Sequence, residues 1–354
     1  MVACRPVFYA LNGDFQMLSL EQAQAAIRAR ITRAQRTQTL TLSDAVGRTL
    51  ARAAMATVDN PAFDNSAMDG YAYNAGDLTQ AQGTLPVQGE SRCGRVPEML
   101  TPGTTMRIFT GAPLPPGADT IAIQEVVQVR DGVAAFPVTT KIEDFIRRRG
   151  EDFRSGDALY PAGHRITPMD IGLLAAAGVS QVEVFARPRV LVVATGDELV
   201  PPGMPLQTGQ IYESNRAATL AQLRQLGAEV IDGGIVKDDP VTLRNVLAAA
   251  SEYDFVITSG GASVGDHDVV KQVFAQLGEI EFWRVKIKPG KPLAFGRIGA
   301  KTHFFALPGN PVSSLITFKL FVEPALKAWH HGTWTWLELT ATVENDFRRS
   351  PGRM

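Results

Sequence analysis

The chain has 354 residues, enough for two or three domains, and its 45% hydrophobic and 20% charged residues are typical of a globular protein rather than a disordered one. The formal net charge is −1, so the chain lacks the overall charge that attracts nucleic acid or an anionic membrane surface. We therefore expect neither as a partner.

Cysteine content and apolar runs predict a reducing compartment. The two cysteines, Cys4 and Cys93, form no CxxC pair and have no zinc-ligand spacing. No stretch approaches the roughly 18 apolar residues of a membrane span, and the N-terminus lacks the long apolar segment of a secretory signal. These features favour a cytoplasmic protein.

The first part of the chain predicts two helices and then a β-rich region. Residues 19–36 predict a helix, with Ser19 as N-cap and Gln22 as its capping-box partner. A second short helix is expected at 43–53. From 54 to 150, apolar runs recur between Gly/Pro turns, and an RDG turn between two of them predicts a hairpin.

The second part predicts a layered α/β domain. A helix with Thr167 as N-cap and Pro168 in its first turn comes before it. From residue 188 to about 330, apolar strands such as RVLVVAT alternate with amphipathic helices. This alternation predicts a mostly parallel sheet covered by helices on both faces, which is a three-layer α/β domain.

Three loops follow predicted strands of this domain and combine glycine with polar groups: residues 195–200, 259–268 and 307–314. Ligands of open α/β sheets bind outside the carboxyl ends of the strands, and glycine lets backbone N–H groups approach an oxyanion there. Any one of these loops could be an ordinary capped turn, but three together favour a phosphate or oxyanion site. The backbone and polar contacts expected from them are Gly260, Gly261, Ser263, Pro308, Gly309 and Asn310.

A basic loop at 286–292 (KIKPGKP) places three lysines in six residues, with Arg284 just before it. A short charge run is commonly a solvated turn. The two prolines and the glycine, however, favour a fixed loop that presents cations to a bound anion.

Carboxylates also fall in loops, among them Asp69, Asp152, Glu198, Asp238 and Asp268. Carboxylates near phosphate-binding loops commonly hold Mg²⁺, a hard cation that prefers oxygen ligands. Helix capping is the alternative. It is strong for Asp268 and for Asp239, which open predicted helices, and weaker for Asp69, Glu198 and Asp238.

Residues 261–265 (GASVG) match the nucleophile-elbow pattern of serine hydrolases. Ser263, however, lies several residues past the apolar strand rather than on the strand-to-helix turn, and no later Asp and His complete a triad convincingly. A serine hydrolase is therefore a weak alternative. The chain also lacks the glycine motifs of dinucleotide-binding and P-loop proteins.

The loops, in this order, resemble the molybdopterin molybdenumtransferase family, which includes the C-terminal domain of gephyrin. The match extends from about residue 17 to the end. It is carried by PAFDNSAMDGYA (61–72), RIFTGAPLPPGADTI (107–121), RRRGEDF (147–153), ATGDEL (194–199), VKDDP (236–240), SGGASVGDHD (259–268), KIKPGKPLAFG (286–296) and ALPGNPVSS (306–314).

The resemblance implies insertion of molybdate into adenylylated molybdopterin with release of AMP, in a Mg²⁺-dependent step of molybdenum-cofactor biosynthesis. It also implies a homodimer whose active site is shared between subunits. The implied multidomain α/β architecture is the N-terminal part of an elongated linker domain (1–59), an inserted β-rich domain (60–149), the second part of the linker domain (150–187), an α/β molybdopterin-binding domain (188–329) and the start of a truncated C-terminal β domain (330–354).

The family's functional positions fall on matching residues of this chain. The resemblance implies catalytic roles for Asp69, Thr110, Asp152, Glu198, Asp238 and Asp268, metal binding by Glu198, Asp238 and Asp268, and substrate binding by Arg284 and Lys288. Arg284 stands where other members have lysine, which keeps the charge and changes its geometry.

Two other functions stay open. The α/β domain also resembles molybdopterin adenylyltransferases, which use ATP, but the FDNSAMDGYA segment is typical of the longer molybdenum-inserting proteins. A non-catalytic scaffold is the second alternative, because gephyrin also clusters receptors. It is disfavoured because no adenylyltransferase-like domain precedes the matching region.

Overall fold

A computed structural model describes residues 17–137, 141–260, 269–334, 340 and 342. Within these ranges the α-helices are α1 Leu20–Arg30, α2 Ala75–Gln80, α3 Pro168–Ala176, α4 Asn215–Gln225, α5 Pro240–Ala248, α6 Val269–Leu277, α7 Pro311–Thr317 and α8 Glu323–His331. The strands are β1 Thr37–Thr41, β2 Ala54–Met55, β3 Asn65–Ser66, β4 Gly70–Tyr73, β5 Thr84–Ser91, β6 Thr105–Ile108, β7 Thr120–Ile123, β8 Gln128–Arg130, β9 Val133–Ala135, β10 Ile146–Arg147, β11 Ala158–Tyr160, β12 Gln181–Phe185, β13 Arg189–Thr195, β14 Leu199–Val200, β15 Ile211–Tyr212, β16 Glu229–Val236, β17 Phe255–Ser259, β18 Gly278–Phe282, β19 Ala294–Ile298 and β20 Thr302–Leu307.

The chain divides into two compact units. One spans Thr39–Glu183, and the other combines the residues up to Gln38 with those from Val184 onward. The five domain boundaries expected from the sequence stay predictions. Most of the expected C-terminal β segment, 330–354, lies outside the described residues.

The unit Thr39–Glu183 contains a six-stranded sheet in the order β7-β4-β6-β5-β9-β8. Its pairings are antiparallel except for β5 with β6. The predicted hairpin is confirmed: β8 pairs with β9, and Asp131 and Gly132 between them both have positive φ, as a tight turn between twisted strands requires. All six strands of this sheet lie within the predicted β-rich region, residues 54–150.

The second unit is the predicted three-layer α/β domain. Its sheet has the order β16-β13-β17-β20-β19-β18, with parallel pairing from β16 to β20 and antiparallel pairing of β19 with both neighbours. One face packs against α1, α4 and the continuous helix of α7 and α8, and the other packs against α5 and α6. Burial on both faces explains why β13, β17 and β20 are nearly uniformly apolar.

Helix starts follow their capping residues. Ser19 and Gln22 form the predicted capping box at α1, and Thr167 and Asp170 form one at α3. The side chain of Asn310 caps α7, with Pro311 in the first turn. These starts were predictable because a cap is a local interaction.

Two helix predictions were wrong. The segment 43–53 forms only a 3₁₀ turn at Leu42–Asp44, because the N–H groups of Gly47 and Leu50 bond to the backbone of residues 164–166 instead. Helix α1 ends at Arg30 rather than near residue 36, and the N–H of Ala34 bonds to the carbonyl of Trp329. In both places a partner distant in sequence overrode the local helix preference.

None of the helices in the described ranges is long and apolar enough to cross a membrane.

A buried histidine, His303, should make the stability of the α/β unit depend on pH. His303 lies in β20, 2% exposed, with its ring close to those of Phe255 and Phe295. Burial, with a smaller contribution from Arg297, lowers the pKa of His303 from 6.5 to about 4. As the pH falls below 6.5, His303 therefore becomes protonated in the unfolded chain while it stays neutral in the folded chain.

We predict that His303→Gln weakens this acid sensitivity. The stabilising effect of a neutral His303 is complete above pH 6.5 and is lost toward pH 4, so the free energy of unfolding at pH 4.5 is lower by about 2 to 3 kcal/mol on this account. Urea unfolding at pH 7 and pH 4.5, followed by tryptophan fluorescence, measures the difference, which should shrink in the variant. An equal pH dependence in both proteins would contradict this role of His303.

Candidate active site

Five loops start at one edge of the six-stranded sheet of the α/β unit, the sheet that contains β13 and β17. The carboxyl ends of β16, β13, β17 and β20 lie there because these strands are parallel. The loop 283–293 joins them, since β18 runs in the same direction as β20 and Ala294 at the start of β19 pairs with Ala306 near the end of β20. The edge therefore gathers the described parts of the predicted glycine loops, the KDDP segment and the basic loop.

The centre of the edge is closely packed backbone. The N–H of Gly260 donates to the carbonyl of Leu307 at 3.3 Å. Gly260 has φ +89°, and a Cβ built on it would lie 2.2 Å from the carbonyl oxygen of Thr195. A Cβ on Gly309 would lie 3.7 Å from the Cα of Gly260. Only glycine at 260 allows the ends of β13, β17 and β20 to come this close.

The turn 307–310 presents free backbone donors. Pro308 is buried, whereas Gly309 and Asn310 are exposed. The side chain of Asn310 accepts from the N–H of Ser313 at 3.2 Å, which fixes the turn on α7. The N–H groups of Gly309 and Asn310 donate to no acceptor among the described residues.

The structure thus brings together four of the predicted substrate-binding residues, Gly260, Pro308, Gly309 and Asn310. The remaining members of that loop set, Gly261 and Ser263, lie outside the described residues, and so does Asp268. The elbow hypothesis for Ser263 therefore stays untested.

Carboxylates occupy the β13–β16 side of the edge. Glu198 and Asp238 are exposed there, and the N–H of Asp238 donates to Oδ1 of Asp197 at 3.3 Å. Although much of Asp238 is exposed, desolvation of its carboxyl group by neighbouring protein atoms, together with the negative charges of Asp197 and Glu198, raises its pKa. The residue that sequence reasoning missed is Asp197, whose position beside Glu198 in TGDEL could have indicated it.

The capping explanation is confirmed for Asp239. Its side chain accepts from the N–H of Thr242 at 2.7 Å at the start of α5. Asp238 makes no such cap, which separates the roles of the two neighbouring carboxylates.

Cations occupy the β18–β19 side. No carboxylate among the described residues lies within 4 Å of Arg284, Lys286, Lys288 or Lys291, and Lys288 is exposed. The loop that carries them is fixed: the N–H of Val285 bonds to the carbonyl of Lys291 at 3.0 Å, and that of Lys286 bonds to the carbonyl of Leu18 at 2.7 Å. The fixed shape expected of this loop is observed, while the binding of an anion by its cations stays a prediction.

Within the unit Thr39–Glu183, two predicted site residues contact each other. Oδ1 of Asp69 accepts from the backbone N–H of Thr110 at 2.7 Å and from its hydroxyl at 2.8 Å. The register explains the contact, because Gly70 at the start of β4 pairs with Ile108 at the end of β6. The two hydrogen bonds from Thr110, with a smaller effect of Arg107, lower the pKa of Asp69 and keep it ionised.

Asp152 has different partners in the same unit. Its carboxylate accepts from Arg147 at 2.6 Å and from the side chain of Asn60 at 3.3 Å. Asp152 is thus an exposed, ion-paired carboxylate with no hydrogen bond to Asp69 or Thr110.

Comparisons with known proteins agree with these motifs. Residues 18–178 match the family described as MoeA N-terminal region (domain I and II), and residues 191–328 match the probable molybdopterin binding domain. The chain is 42% identical over 313 residues to the molybdopterin molybdenumtransferase of Haemophilus influenzae, covering 88% of this chain and 77% of that protein. The corresponding protein of Bacillus subtilis is 34% identical over 304 residues, covering 83% of this chain and 70% of that protein.

The chain belongs to the molybdopterin molybdenumtransferase family. A solved structure of the molybdopterin biosynthesis MoeA protein from Pyrococcus horikosii superposes with a TM-score of 0.78 at 33% identity, covering 88% of this chain and 79% of that one. The resemblance carried by the loop motifs is confirmed, and so is the multidomain α/β fold class.

The carboxylate cluster of this family member predicts a measurable titration. Asp197→Asn should lower the pKa of Asp238, because one of the two negative charges that raise it is removed. A ¹³C NMR titration of the aspartate carboxyl carbons reports the pKa. Asp239→Asn is the matched control, since Asp239 is adjacent in sequence and bonds to Thr242 instead. An unchanged pKa of Asp238 in Asp197→Asn would contradict the proximity described here.

Proposed function

We propose that this protein inserts molybdenum from molybdate into adenylylated molybdopterin and releases AMP, as a step of molybdenum-cofactor biosynthesis. Family membership supports a transferase that acts on molybdopterin, since the relatives bear the name molybdopterin molybdenumtransferase. The identity of the adenylylated substrate and the release of AMP are the parts that the experiment below tests.

The order of charge along the sheet edge is the observation that carries this proposal. Carboxylates follow β16 and β13, and cations lie beyond β18. In the centre, after β20, are backbone N–H groups that, like those cations, have no acidic or acceptor partner in the part of the chain that the structure describes. Neighbouring strands are about 5 Å apart, so the six strands span roughly 24 Å. An elongated substrate with several anionic groups fits such an edge, with one end near carboxylates that can share a cation and the other near Arg284 and Lys288.

Magnesium fits the carboxylate side. Desolvation of its carboxyl group, together with the negative charges of Asp197 and Glu198, raises the pKa of Asp238, and a bound cation would offset those charges. No group of three or more metal-ligating side chains is assembled within the described ranges. We propose Glu198 and Asp238 as its ligands, with Asp268 as a third.

The chemistry of the proposed step divides among the residues. When bound, Mg²⁺ neutralises charge on the substrate's pyrophosphate. The N–H groups of Gly309 and Asn310 bind an oxyanion of the substrate in the centre of the edge. Arg284 and Lys288 attract molybdate, a dianion, and hold it beside the pterin.

The match of residues 18–178 to the MoeA N-terminal region favours molybdenum insertion over adenylyl transfer from ATP. We also propose a cytoplasmic location, in keeping with Cys93, which is an exposed free thiol.

Asp238→Ala should lower Mg²⁺-dependent AMP release at least about tenfold, because a charged ligand contributes roughly 1.5 to 3 kcal/mol. The fold should persist, since Asp238 is exposed. The assay incubates the protein with adenylylated molybdopterin, Mg²⁺ and molybdate and follows AMP by chromatography.

Glu252→Gln is the matched control for that assay, because Glu252 is an exposed carboxylate just before β17, at the opposite edge of the sheet. Turnover of Asp238→Ala at the level of the control would refute the metal or substrate role of Asp238. Absence of AMP release from the unmodified protein would refute the proposed reaction itself.

We further propose that the active protein is a homodimer whose active site takes residues from both subunits. Asp69 and Asp238 belong to different compact units and are about 170 positions apart in the sequence. The ionised Asp69 and the hydroxyl of Thr110 then act on a substrate held by the other subunit's sheet edge.

Subunit complementation tests the shared site. Asp69→Ala and Asp238→Ala homodimers each contain two damaged sites, whereas a mixed dimer contains one doubly damaged site and one intact site. Random exchange makes half of the dimers mixed, so activity should recover to about a quarter of the unmodified level by symmetry counting. No recovery despite exchange confirmed by mass spectrometry would place both residues in the same subunit's site or remove Asp69 from the site.

A further inference from the structure

A side-chain amide links helix α4 to the centre of the active-site edge. Asn215 is the first residue of α4, and its Nδ2 donates to the carbonyl oxygen of Gly309 at 2.8 Å. The two residues are 94 positions apart in the sequence. Asn215 itself was not among the residues that sequence reasoning selected.

The first turn of α4 is held rigidly. Ser214 occupies the N-cap position without a side-chain cap bond. The side chain of Glu213, which is 2% exposed, makes the capping hydrogen bond instead: its Oε1 accepts from the N–H of Arg216. The guanidinium of Arg216 pairs with Asp232 on β16. The contacts of Glu213 and Arg216 fix the first turn of α4 on either side of Asn215. They thereby hold the amide of Asn215 next to residues 307–310.

The bond sets the orientation of one peptide group. The Gly309–Asn310 peptide is trans, because the cis bonds of the described residues lie elsewhere. In a planar trans peptide the carbonyl oxygen and the next amide hydrogen point in opposite directions. Holding the carbonyl of Gly309 toward Asn215 therefore turns the N–H of Asn310 away from α4, where it donates to no acceptor among the described residues.

Backbone hydrogen bonds also connect the start of α4 with the loop that carries Glu198. The N–H of Glu213 bonds to the carbonyl of Val200, and the N–H of Ile211 bonds to the carbonyl of Glu198, both at 2.9 Å. These bonds join β14 and β15 into a short arm that begins at Glu198 and ends next to Asn215. One continuous segment thus connects a proposed metal ligand with the central turn.

We propose that Asn215 is a positioning residue of the reaction: its amide fixes the Gly309–Asn310 peptide so that the N–H of Asn310 binds an anionic oxygen of the pterin substrate. This rests on the proposed function. Asn215 contacts the turn rather than the substrate, so its loss should weaken substrate binding and leave the chemical step in place.

The test compares three substitutions at this position. Asn215→Ala removes the donor, Asn215→Asp replaces it with an isosteric group that repels the carbonyl, and Asn215→Gln keeps an amide donor. In the AMP-release assay, the first two should raise KM for adenylylated molybdopterin by about tenfold, the size expected for one hydrogen bond, with kcat unchanged. Asn215→Gln should restore KM toward that of the unmodified protein.

A second readout does not depend on turnover. Hydrogen–deuterium exchange of the N–H groups of Ser313 and Ser314, which bond to Asn310, should increase in Asn215→Ala, because the turn loses its anchor. Gln222→Ala is the control for both measurements: Gln222 is also an amide on α4, but it bonds to Ala218 within the same helix.

The outcomes separate the two proposals. An unchanged KM in Asn215→Ala and Asn215→Asp, a loss of kcat alone, or an equal effect of Gln222→Ala would overturn the positioning role. If the unmodified protein releases no AMP, the proposed function fails instead. Unchanged exchange of the N–H groups of Ser313 and Ser314 in Asn215→Ala would overturn the anchoring of the turn whatever the activity.

Discussion

The parallel pairing of β13, β17 and β20 is the constraint on which the rest of the structure depends. These strands are buried on both faces, so their register is set by packing against two helical layers. That register brings Thr195, Gly260 and Leu307 to the same edge, close enough that only glycine fits at position 260. Each functional loop of the domain begins from one of these strand ends or from a neighbour.

The electrostatics of the edge follows from strand order rather than from local sequence. Acidic loops extend from β13 and β16 on one side, while the basic loop connects β18 and β19 on the other, with neutral backbone donors between them. Among the described residues, no ion pair joins the acidic loops to the basic loop, so the two charged groups stay apart along the edge. Desolvation of its carboxyl group and the nearby negative charges of Asp197 and Glu198 together raise the pKa of Asp238.

Local chemistry was the predictable part of this molecule. The caps at Ser19, Thr167 and Asn310 and the strand RVLVVAT could be predicted because neighbouring residues determine them. The helix expected at 43–53 failed because its backbone pairs with residues more than 100 positions away. Asn215 was missed for the same reason, because its partner Gly309 is brought near only by the fold, whereas Asp197 could have been found from its position beside Glu198.

On the proposed function, the pterin substrate binds at the carboxyl ends of the parallel strands in the sheet of the α/β unit. Amide chemical shifts of ¹⁵N-labelled protein, titrated with adenylylated molybdopterin and Mg²⁺ in the absence of molybdate, test it most directly. We expect chemical-shift changes for amides at the proposed binding edge: residues 195–198, 237–239, 260, 284–291 and 309–310. We expect none at residues 254 and 299–301, which lie at the opposite edge. Shifts confined to that opposite edge, or saturable binding that leaves 260 and 309–310 unperturbed, would contradict it.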